Sequence, residues 1–206
     1  MGYQLKRCSK ADKCPNRVIN DDKLMDRLES LLKKEDLYEF LEKNIRGKIK
    51  SRHKLRITLA GCPNACSQPQ IKDIGIIGAL IPEISNEKCI MCGICLEICQ
   101  ENGIKFFTGK KAPEIDYNLC MKCGQCTGEC STGTIKKGRE GFRVLLGGRL
   151  GRHPQLAVEL NRIYNEDKVL KIVKKCIDLF KQNTHDGKRF TEIIHTRRQY
   201  FEKENF

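Results

Sequence analysis

The sequence has no tryptophan, and aromatic residues make up only 6% of its 206 residues. It also has no block of five or more Lys or Arg residues, although 39 basic residues against 26 acidic ones give a formal charge of +13. Proteins that bind nucleic acid concentrate basic and aromatic residues where they meet phosphates and stack bases. Because the basic residues are spread along this chain, we do not expect nucleic acid to be its main partner.

Long apolar segments are absent as well. The most apolar stretch, residues 74–84, contains a proline and a charge and is far shorter than the about 20 residues that span a membrane, so no membrane insertion is expected. The first six residues do not resemble a secretory signal peptide, which predicts a cytoplasmic location. Since the cytosol keeps thiols reduced, we expect the 13 cysteines to serve metal or redox chemistry and not to form disulfides.

The apolar pattern predicts an α+β chain. After a turn-rich lead-in over residues 1–20, leucines at helical spacing predict a helix over residues 21–50 with a break near Glu35. Strands are predicted over residues 54–60, 73–80 and 142–146, and helices from residue 156 onward, the last over residues 189–201. A small domain, residues 85–137, is predicted to interrupt a module made of residues 1–84 and 138–206.

The middle of the chain carries a duplicated cysteine motif. The spacing Cys-x2-Cys-x2-Cys-x3-Cys occurs twice, with an offset of 31 residues. Three closely spaced thiolates wrap one corner of an iron–sulfur cube, and the fourth ligates the other cluster. The spacing therefore predicts two [4Fe–4S] clusters. The first repeat set is Cys89, Cys92, Cys95 and Cys130, and the second repeat set is Cys120, Cys123, Cys126 and Cys99.

Zinc is a weaker explanation for this motif, because structural zinc is held by paired Cys-x2-Cys units and not by triplets followed by a fourth cysteine. The segment resembles a bacterial-type two-cluster ferredoxin over roughly 50 residues. It departs from that pattern where Gln100 and Ser131 replace the usual proline after the fourth cysteine.

Five cysteines lie outside the repeat. The outer set is Cys8, Cys14, Cys62 and Cys66. Its second pair lies in a turn with Gly61, Pro63 and Asn64, so the spacing is compatible with a third four-thiolate site or with four unrelated structural cysteines. The thirteenth, Cys176, falls on an apolar helical face and is expected to be a small buried side chain.

These outer motifs resemble the sirohaem-binding half of the sulfite and nitrite reductases. The resemblance rests on Cys-x5-Cys, on Gly-Cys-Pro-Asn-x-Cys followed by the strand at residues 73–78, and on the glycine-rich loop at residues 147–154. A ferredoxin inserted at this point is similar to the dissimilatory and anaerobic sulfite reductase subunits. The resemblance implies that the outer set holds a third [4Fe–4S] cluster and that Cys66 also bridges to the sirohaem iron.

The resemblance also implies a set of cofactor contacts. The cofactor-binding candidates are Cys66, Asn64, Gly147, Gly148, Arg149 and Arg152, and the candidates for catalysis are Arg149, Arg152 and His153. The arginines suit carboxylates because the guanidinium fork matches them. His153 is expected either to donate to a sirohaem carboxylate or a substrate oxygen, or only to shape the turn before Pro154. The positive charge would then balance anionic cofactors and an anionic substrate.

The implied function is the six-electron reduction of sulfite, or of nitrite, with electrons from an external donor protein or subunit. The family's full catalytic unit has a further half-domain before the first cysteine motif, whereas only seven residues precede Cys8 here. A partner subunit or a second copy of the chain is expected to complete the sirohaem pocket. The alternative is a non-catalytic electron carrier that has lost sirohaem and keeps three clusters.

Overall fold

The computed structural model describes residues 1–9, 13–185 and 187–197 and is built on a five-stranded mixed sheet. Its strands are β1 (Tyr3–Arg7), β2 (Leu55–Ala60), β3 (Ile74–Ile84), β6 (Ile135–Leu146) and β7 (Val158–Tyr164), in that spatial order. The first three run parallel, and β6 and β7 pair antiparallel to their neighbours. The mixed sheet with its helices confirms the mixed fold that the sequence predicts.

Four helices share one hydrophobic core with the sheet. They are α1 (Asp22–Lys34), α2 (Leu37–Asn44), α5 (Glu166–Asn183) and α6 (Phe190–Arg197). The predicted stripe is confirmed, because Leu24, Leu28 and Leu32 of α1 are buried. The predicted break is also present, since Asp36 adopts a left-handed backbone between α1 and α2. Cys176 of α5 is fully buried in this core, as expected.

Two regions differ from the sequence prediction. Residues 158–164, predicted as helix, form β7 because the open edge of β6 supplies backbone partners and the chain buries only Leu160 and Tyr164 there. The helix starts afterwards, where the Asn165 side chain accepts a hydrogen bond from the Lys168 amide. The lead-in contains a strand, β1, which pairs in parallel with β2. The predicted extension of the last helix to residue 201 lies outside the described residues.

Strands β3 and β6 are longer than predicted. They form one antiparallel pair that reaches from Ile74 opposite Leu146 to Ile84 opposite Ile135. The cysteine-rich segment, residues 85–134 in the structure, sits at the far end of this pair. It contains α3 (Ile94–Ile98), β4 (Ile104–Lys105), β5 (Glu114–Ile115) and α4 (Gln125–Glu129), with β4 and β5 paired antiparallel.

The face of the sheet opposite the helices is also covered near β2. Thr58, on the face of β2 that points away from the helices, is buried beside Gly75 of β3. A Cβ atom on Gly75 would lie 2.5 Å from the carbonyl oxygen of Pro69, so the chain after the second outer pair of cysteines crosses directly over this position. Among the described residues, no helix combines the length and apolar character needed to cross a membrane.

Candidate metal centres

Each cysteine repeat forms the same tight turn around its first sulfur. Met91 and Lys122 occupy equivalent positions and both adopt left-handed backbone angles, with φ of 56° and 61°. Their amides donate to the sulfurs of Cys89 and Cys120, at 3.3 Å and 3.4 Å. A left-handed glycine follows in each repeat and begins a five-residue helix, α3 or α4. The turn therefore aims backbone N–H groups at sulfur, as an anionic thiolate requires.

The sulfur atoms group across the two repeats. Burial raises the pKa of Cys95, and the neighbouring thiols of Cys130, Cys89 and Cys92 raise it further. Burial likewise raises the pKa of Cys126 to about 12, with added contributions from the thiols of Cys123, Cys120 and Cys99. The structure thus brings together the first three cysteines of each motif and the fourth cysteine of the other.

The sulfur atoms within a set do not converge on one point, as they would around a single metal ion. Across the described ranges, no three Cys, His, Asp or Glu side chains converge closely enough to hold a single metal ion. A zinc ion draws four sulfurs to about 2.3 Å from one centre. A [4Fe–4S] cluster instead binds each thiolate at a different iron corner, so its ligands stay further apart. The donor chemistry, four thiols and no oxygen or nitrogen ligand, also fits a cluster.

A cavity joins the second repeat set to the turn that carries Cys62 of the outer set. It has a volume of about 240 Å³, and its lining includes Cys99, Cys120, Cys123, Cys126, Cys62 and Asn64. The contact is fixed by Leu80 of β3, whose amide donates to the carbonyl oxygen of Lys122 at 2.8 Å. Gly124 is needed here because a Cβ atom would lie 2.8 Å from the Leu80 side chain. The second repeat set therefore lies against the sheet module.

The outer set is built on a loop after β2. Burial raises the pKa of Cys62, and the nearby thiols of Cys14 and Cys8 raise it further. Cys66 lies in the same loop and is exposed. Its sulfur accepts a hydrogen bond from the Asn64 side-chain amide at 3.2 Å, which fixes the sulfur's position at the surface.

The glycine-rich loop packs against its own chain. The amide of Gly147 donates to the carbonyl oxygen of Asp73 at 2.9 Å, and that of Gly148 donates to Lys72 at 2.8 Å. A Cβ atom on Gly148 would lie 2.5 Å from the carbonyl oxygen of Gln70. Both glycine amides are therefore engaged within the protein, and the structure gives these glycines a role in close backbone packing.

A buried ion pair holds this loop in place, and no sequence motif predicted it. Asp73 is buried and accepts from the backbone amide and the Nε of Arg56, both at 2.9 Å, and from its Nη2 at 3.0 Å. The hydroxyl of Thr191 on α6 lies 3.3 Å from both Asp73 Oδ1 and the Gly148 carbonyl oxygen. The signal in the sequence is weak: an arginine on β2 and an aspartate just before β3.

The candidate catalytic side chains follow on this loop. The Nε of Arg149 is buried and has no hydrogen-bond partner among the described residues, and its Nη1 lies 3.8 Å from Glu192. Arg152 and His153 are exposed on the same loop. A buried guanidinium N–H without a partner is costly. A carboxylate of a bound anionic group would satisfy it, so Arg149 fits the predicted cofactor contact.

A second ion network ties the cysteine-rich segment to the sheet. Glu159 of β7 accepts from the Nε of Arg143 at 2.8 Å and also pairs with its Nη2. Lys122 of the second repeat lies 3.6 Å from the same carboxylate. Burial alone would raise the pKa of Glu159, but Arg143 and Lys122 outweigh it, and the pKa is lowered from its ordinary 4.5.

This network predicts a pH dependence. Because the pKa of Glu159 is lower in the folded protein than in the unfolded chain, the network stabilises fully above 4.5 and loses its contribution as pH falls through the folded pKa. We expect the stability of Glu159→Gln to fall less than that of the native protein as pH is lowered from about 7 through 4.5 and below, measured by urea unfolding. Equal losses in both proteins would contradict this role for Glu159.

Comparisons with known proteins relate the chain to sulfite and nitrite reductases. A profile of the family described as nitrite and sulphite reductase 4Fe-4S domain matches residues 4–197. The chain is 38% identical over 128 residues to the coenzyme F420-dependent sulfite reductase of Methanocaldococcus jannaschii, covering 62% of this chain and 20% of that protein. It is 33% identical over 54 residues to a subunit of the anaerobic sulfite reductase of Salmonella typhimurium, covering 26% of this chain and 16% of that protein.

Two solved structures share the fold. Dissimilatory sulfite reductase I matches with a TM-score of 0.61 and 14% identity, over 94% of this chain and 49% of that chain. The NirA protein of Mycobacterium tuberculosis matches with a TM-score of 0.50 and 18% identity, over 94% of this chain and 25% of that chain. The chain spans a fifth or less of the two curated relatives. Since the family profile matches almost the whole sequence, the chain belongs to the nitrite and sulphite reductase 4Fe-4S domain family.

Proposed function

We propose that this chain is the electron-carrying and sirohaem-coordinating part of a sulfite reductase. Three [4Fe–4S] clusters, one on each sulfur set, would carry electrons one at a time toward the site where sulfite is reduced to sulfide with six electrons. The observation that carries the proposal is the cavity shared by the second repeat set and the Cys62–Asn64 turn. It supports a continuous route from the two-cluster ferredoxin domain into the sheet module.

The order of the clusters follows from the contacts of the second repeat. The second repeat set takes Cys99 from the first repeat, and the first set takes Cys130 from the second. The second repeat set also borders the turn at Cys62. In the proposed route, electrons enter at the first repeat set, pass to the second and arrive at the outer set. Hydrogen bonds from backbone amides to Cys89 and Cys120 would stabilise the thiolates that hold the two ferredoxin clusters.

The residues around Cys66 support the sirohaem part of the proposal. When bound, sirohaem would supply an open iron position for the substrate sulfur. Cys66 presents an exposed sulfur, oriented by Asn64, and would be the residue that holds the sirohaem iron. Arg149 offers a buried N–H donor to a carboxylate, and the exposed Arg152 and His153 extend the same loop toward an anionic ligand. We propose Arg149 and Arg152 as carboxylate contacts and the loop's glycines as packing residues.

The names of the relatives support the choice of substrate and the need for partners. Both curated relatives are named as sulfite reductases, and the Salmonella protein is named as one subunit of its enzyme. We therefore propose sulfite as the substrate, a cytoplasmic location and a partner subunit that completes the sirohaem pocket. Nitrite is the alternative substrate, since the family includes nitrite reductases and no residue of this chain separates the two anions.

The proposal is tested with protein purified anaerobically from its own cells, together with any subunits that remain bound. With reduced methyl viologen in excess as the one-electron donor, added sulfite is expected to yield sulfide, with about six viologens oxidised for each sulfide formed. Cys66→Ser should stop this reaction and leave the absorption of the two ferredoxin clusters unchanged. A native complex that oxidises the viologen with neither sulfite nor nitrite would contradict the proposal and support the three-cluster electron carrier without sirohaem.

A further inference from the structure

The two cysteine loops have the same backbone but different surfaces. Met91 and Ile94 of the first repeat stand where the second repeat has Lys122 and Gln125. The first loop is the more apolar of the two, and it is exposed: the exposed fractions are 63% for Ile90, 55% for Met91 and 41% for Ile94. We call these three residues the apolar loop patch.

The second loop is already an interface within the chain. Leu80 donates to the carbonyl of Lys122, pairs with Cys123 and packs over Gly124. At two of the three patch positions this contacting loop carries polar side chains, Lys122 and Gln125, and at the third it carries Met121, which is 42% exposed. Nothing in the described part of the chain covers the apolar loop patch, although a clustered set of exposed apolar side chains is a usual mark of an interaction site.

We propose that the apolar loop patch is the docking site of a protein electron carrier that reduces the first repeat set. The patch surrounds the cysteines of that set directly, because Ile90 and Met91 lie between Cys89 and the exposed Cys92. The inference rests on the proposed function, in that the set holds a cluster. One electron leaves the carrier, which is oxidised, and enters this cluster, which is reduced; no bond is made and no proton moves.

The small area of the apolar loop patch indicates a transient partner. Even aromatic side chains bury only about 150–250 Å² each, so three aliphatic ones fall well short of the about 2,000 Å² of an obligate interface. Electron-transfer encounters lie at the small end of the range of interfaces. A stable dimer of this chain therefore needs more surface than the patch supplies.

The charge of the segment indicates how the carrier is recognised. Residues 85–137 contain seven Lys, no Arg and six Asp or Glu. With two bound clusters, each of about −2 with its four thiolates, the segment would carry a small negative charge of about −3. The patch therefore offers apolar contact and no strong field of one sign. A carrier with an apolar surface around its redox centre fits it, and the association is expected to depend only weakly on salt.

The test exchanges residues between the two repeats. The variant Met91→Lys with Ile94→Gln takes the side chains that the same backbone carries in the second repeat. The matched control, Met91→Leu with Ile94→Leu, changes the same positions and keeps them apolar. The probes are a reduced two-cluster bacterial ferredoxin as protein donor and reduced methyl viologen as small donor. Reduction of the clusters is followed by stopped-flow absorption, and ferredoxin binding by calorimetry.

We expect the Lys/Gln variant to bind the ferredoxin at least tenfold more weakly and to be reduced by it at least tenfold more slowly than the native chain. Methyl viologen should reduce both at the same rate, and the Leu/Leu control should behave like the native chain. Equal ferredoxin binding in the two variants, whether tight or weak, would overturn the proposal. So would a native dimer that the Lys/Gln variant converts to monomer, because the patch would then belong to a second copy.

The outcomes separate this proposal from the proposed function. Iron and acid-labile sulfide are measured first in all three proteins. A native chain without clusters would refute the proposed function. Full cluster content with equal binding of the ferredoxin by both variants would refute only the docking site.

Discussion

Replacing Cys99 with serine is expected to remove a cluster from the opposite cysteine motif. Cys99 belongs to the first repeat in sequence, but its thiol lies with those of Cys120, Cys123 and Cys126. The variant should lose about four iron atoms per chain from the second repeat set. Its first repeat set should remain loaded, as measured by iron analysis and by electron paramagnetic resonance of the reduced protein.

The reciprocal variant provides the matched comparison. Cys130→Ser should remove the cluster of the first repeat set, because its sulfur lies with Cys95. Cys176→Ala, in the apolar core, should leave the iron content unchanged. Loss of the cluster from the same motif that carries the substitution, in both variants, would contradict the crossed arrangement. In the proposed function, the crossed arrangement would keep the two clusters close enough for electrons to pass between them.

Removing the carboxylate of Asp73 is expected to have the largest effect on stability. Asp73→Ala leaves the guanidinium of Arg56 largely buried and without its bidentate partner. Breaking a buried pair by removing one partner costs about 3–5 kcal/mol, and the partial exposure of Arg56 places the expected loss near 3 kcal/mol. The measurement is the free energy of unfolding of the anaerobic protein in urea.

A double variant separates the ion pair from general damage to the site. In Arg56→Met with Asp73→Ala both charges are gone, so the stability loss should be clearly smaller than for Asp73→Ala alone. Thr191→Val removes the two 3.3 Å contacts of the hydroxyl, to Asp73 and to Gly148, and should cost about 1 kcal/mol. If the double variant lost as much stability as the sum of its two single changes, the pair would not be the reason for the effect.

Asp73→Ala should also displace the glycine-rich loop after β6. Asp73 and Thr191 together hold Gly148 in place, and Arg149 follows directly. Asp73→Ala is therefore expected to weaken binding of sirohaem as well as stability, whereas Thr191→Val should affect it less. Asp73 is a positioning residue in this account, because it reaches the candidate cofactor site only through Arg56 and the loop.

The sequence predicts those features that depend on neighbouring residues. The cysteine repeats fix their own turns through short spacing and glycine, so their grouping can be anticipated from the spacing alone. The stripe Leu24, Leu28 and Leu32 likewise fixes which face of α1 is buried. The turns and the α1 stripe rest on contacts within a few residues of the chain, where the pattern is informative. The fourth cysteine of each set comes from the other repeat and is anticipated from the known ligation of this spacing.

Features that depend on distant partners could not be predicted in this way. The stretch that forms β7 carries apolar residues compatible with either structure, and the free edge of β6 decides for the strand. The role of Asp73 depends on an arginine one strand away and a threonine on the last helix. The loop shows the same limit, since the sequence does not reveal that the amides of Gly147 and Gly148 bond to residues 73 and 72.

The visible absorption spectrum of the protein, purified anaerobically with its bound subunits and analysed for iron, tests the central claim most directly. The account predicts about twelve cluster iron atoms per chain, with a strong Soret band and a band in the red from sirohaem on top of the broad iron–sulfur absorption. The same iron content with only the broad absorption would contradict the sirohaem reductase. Zinc in place of iron would contradict the cluster assignments themselves.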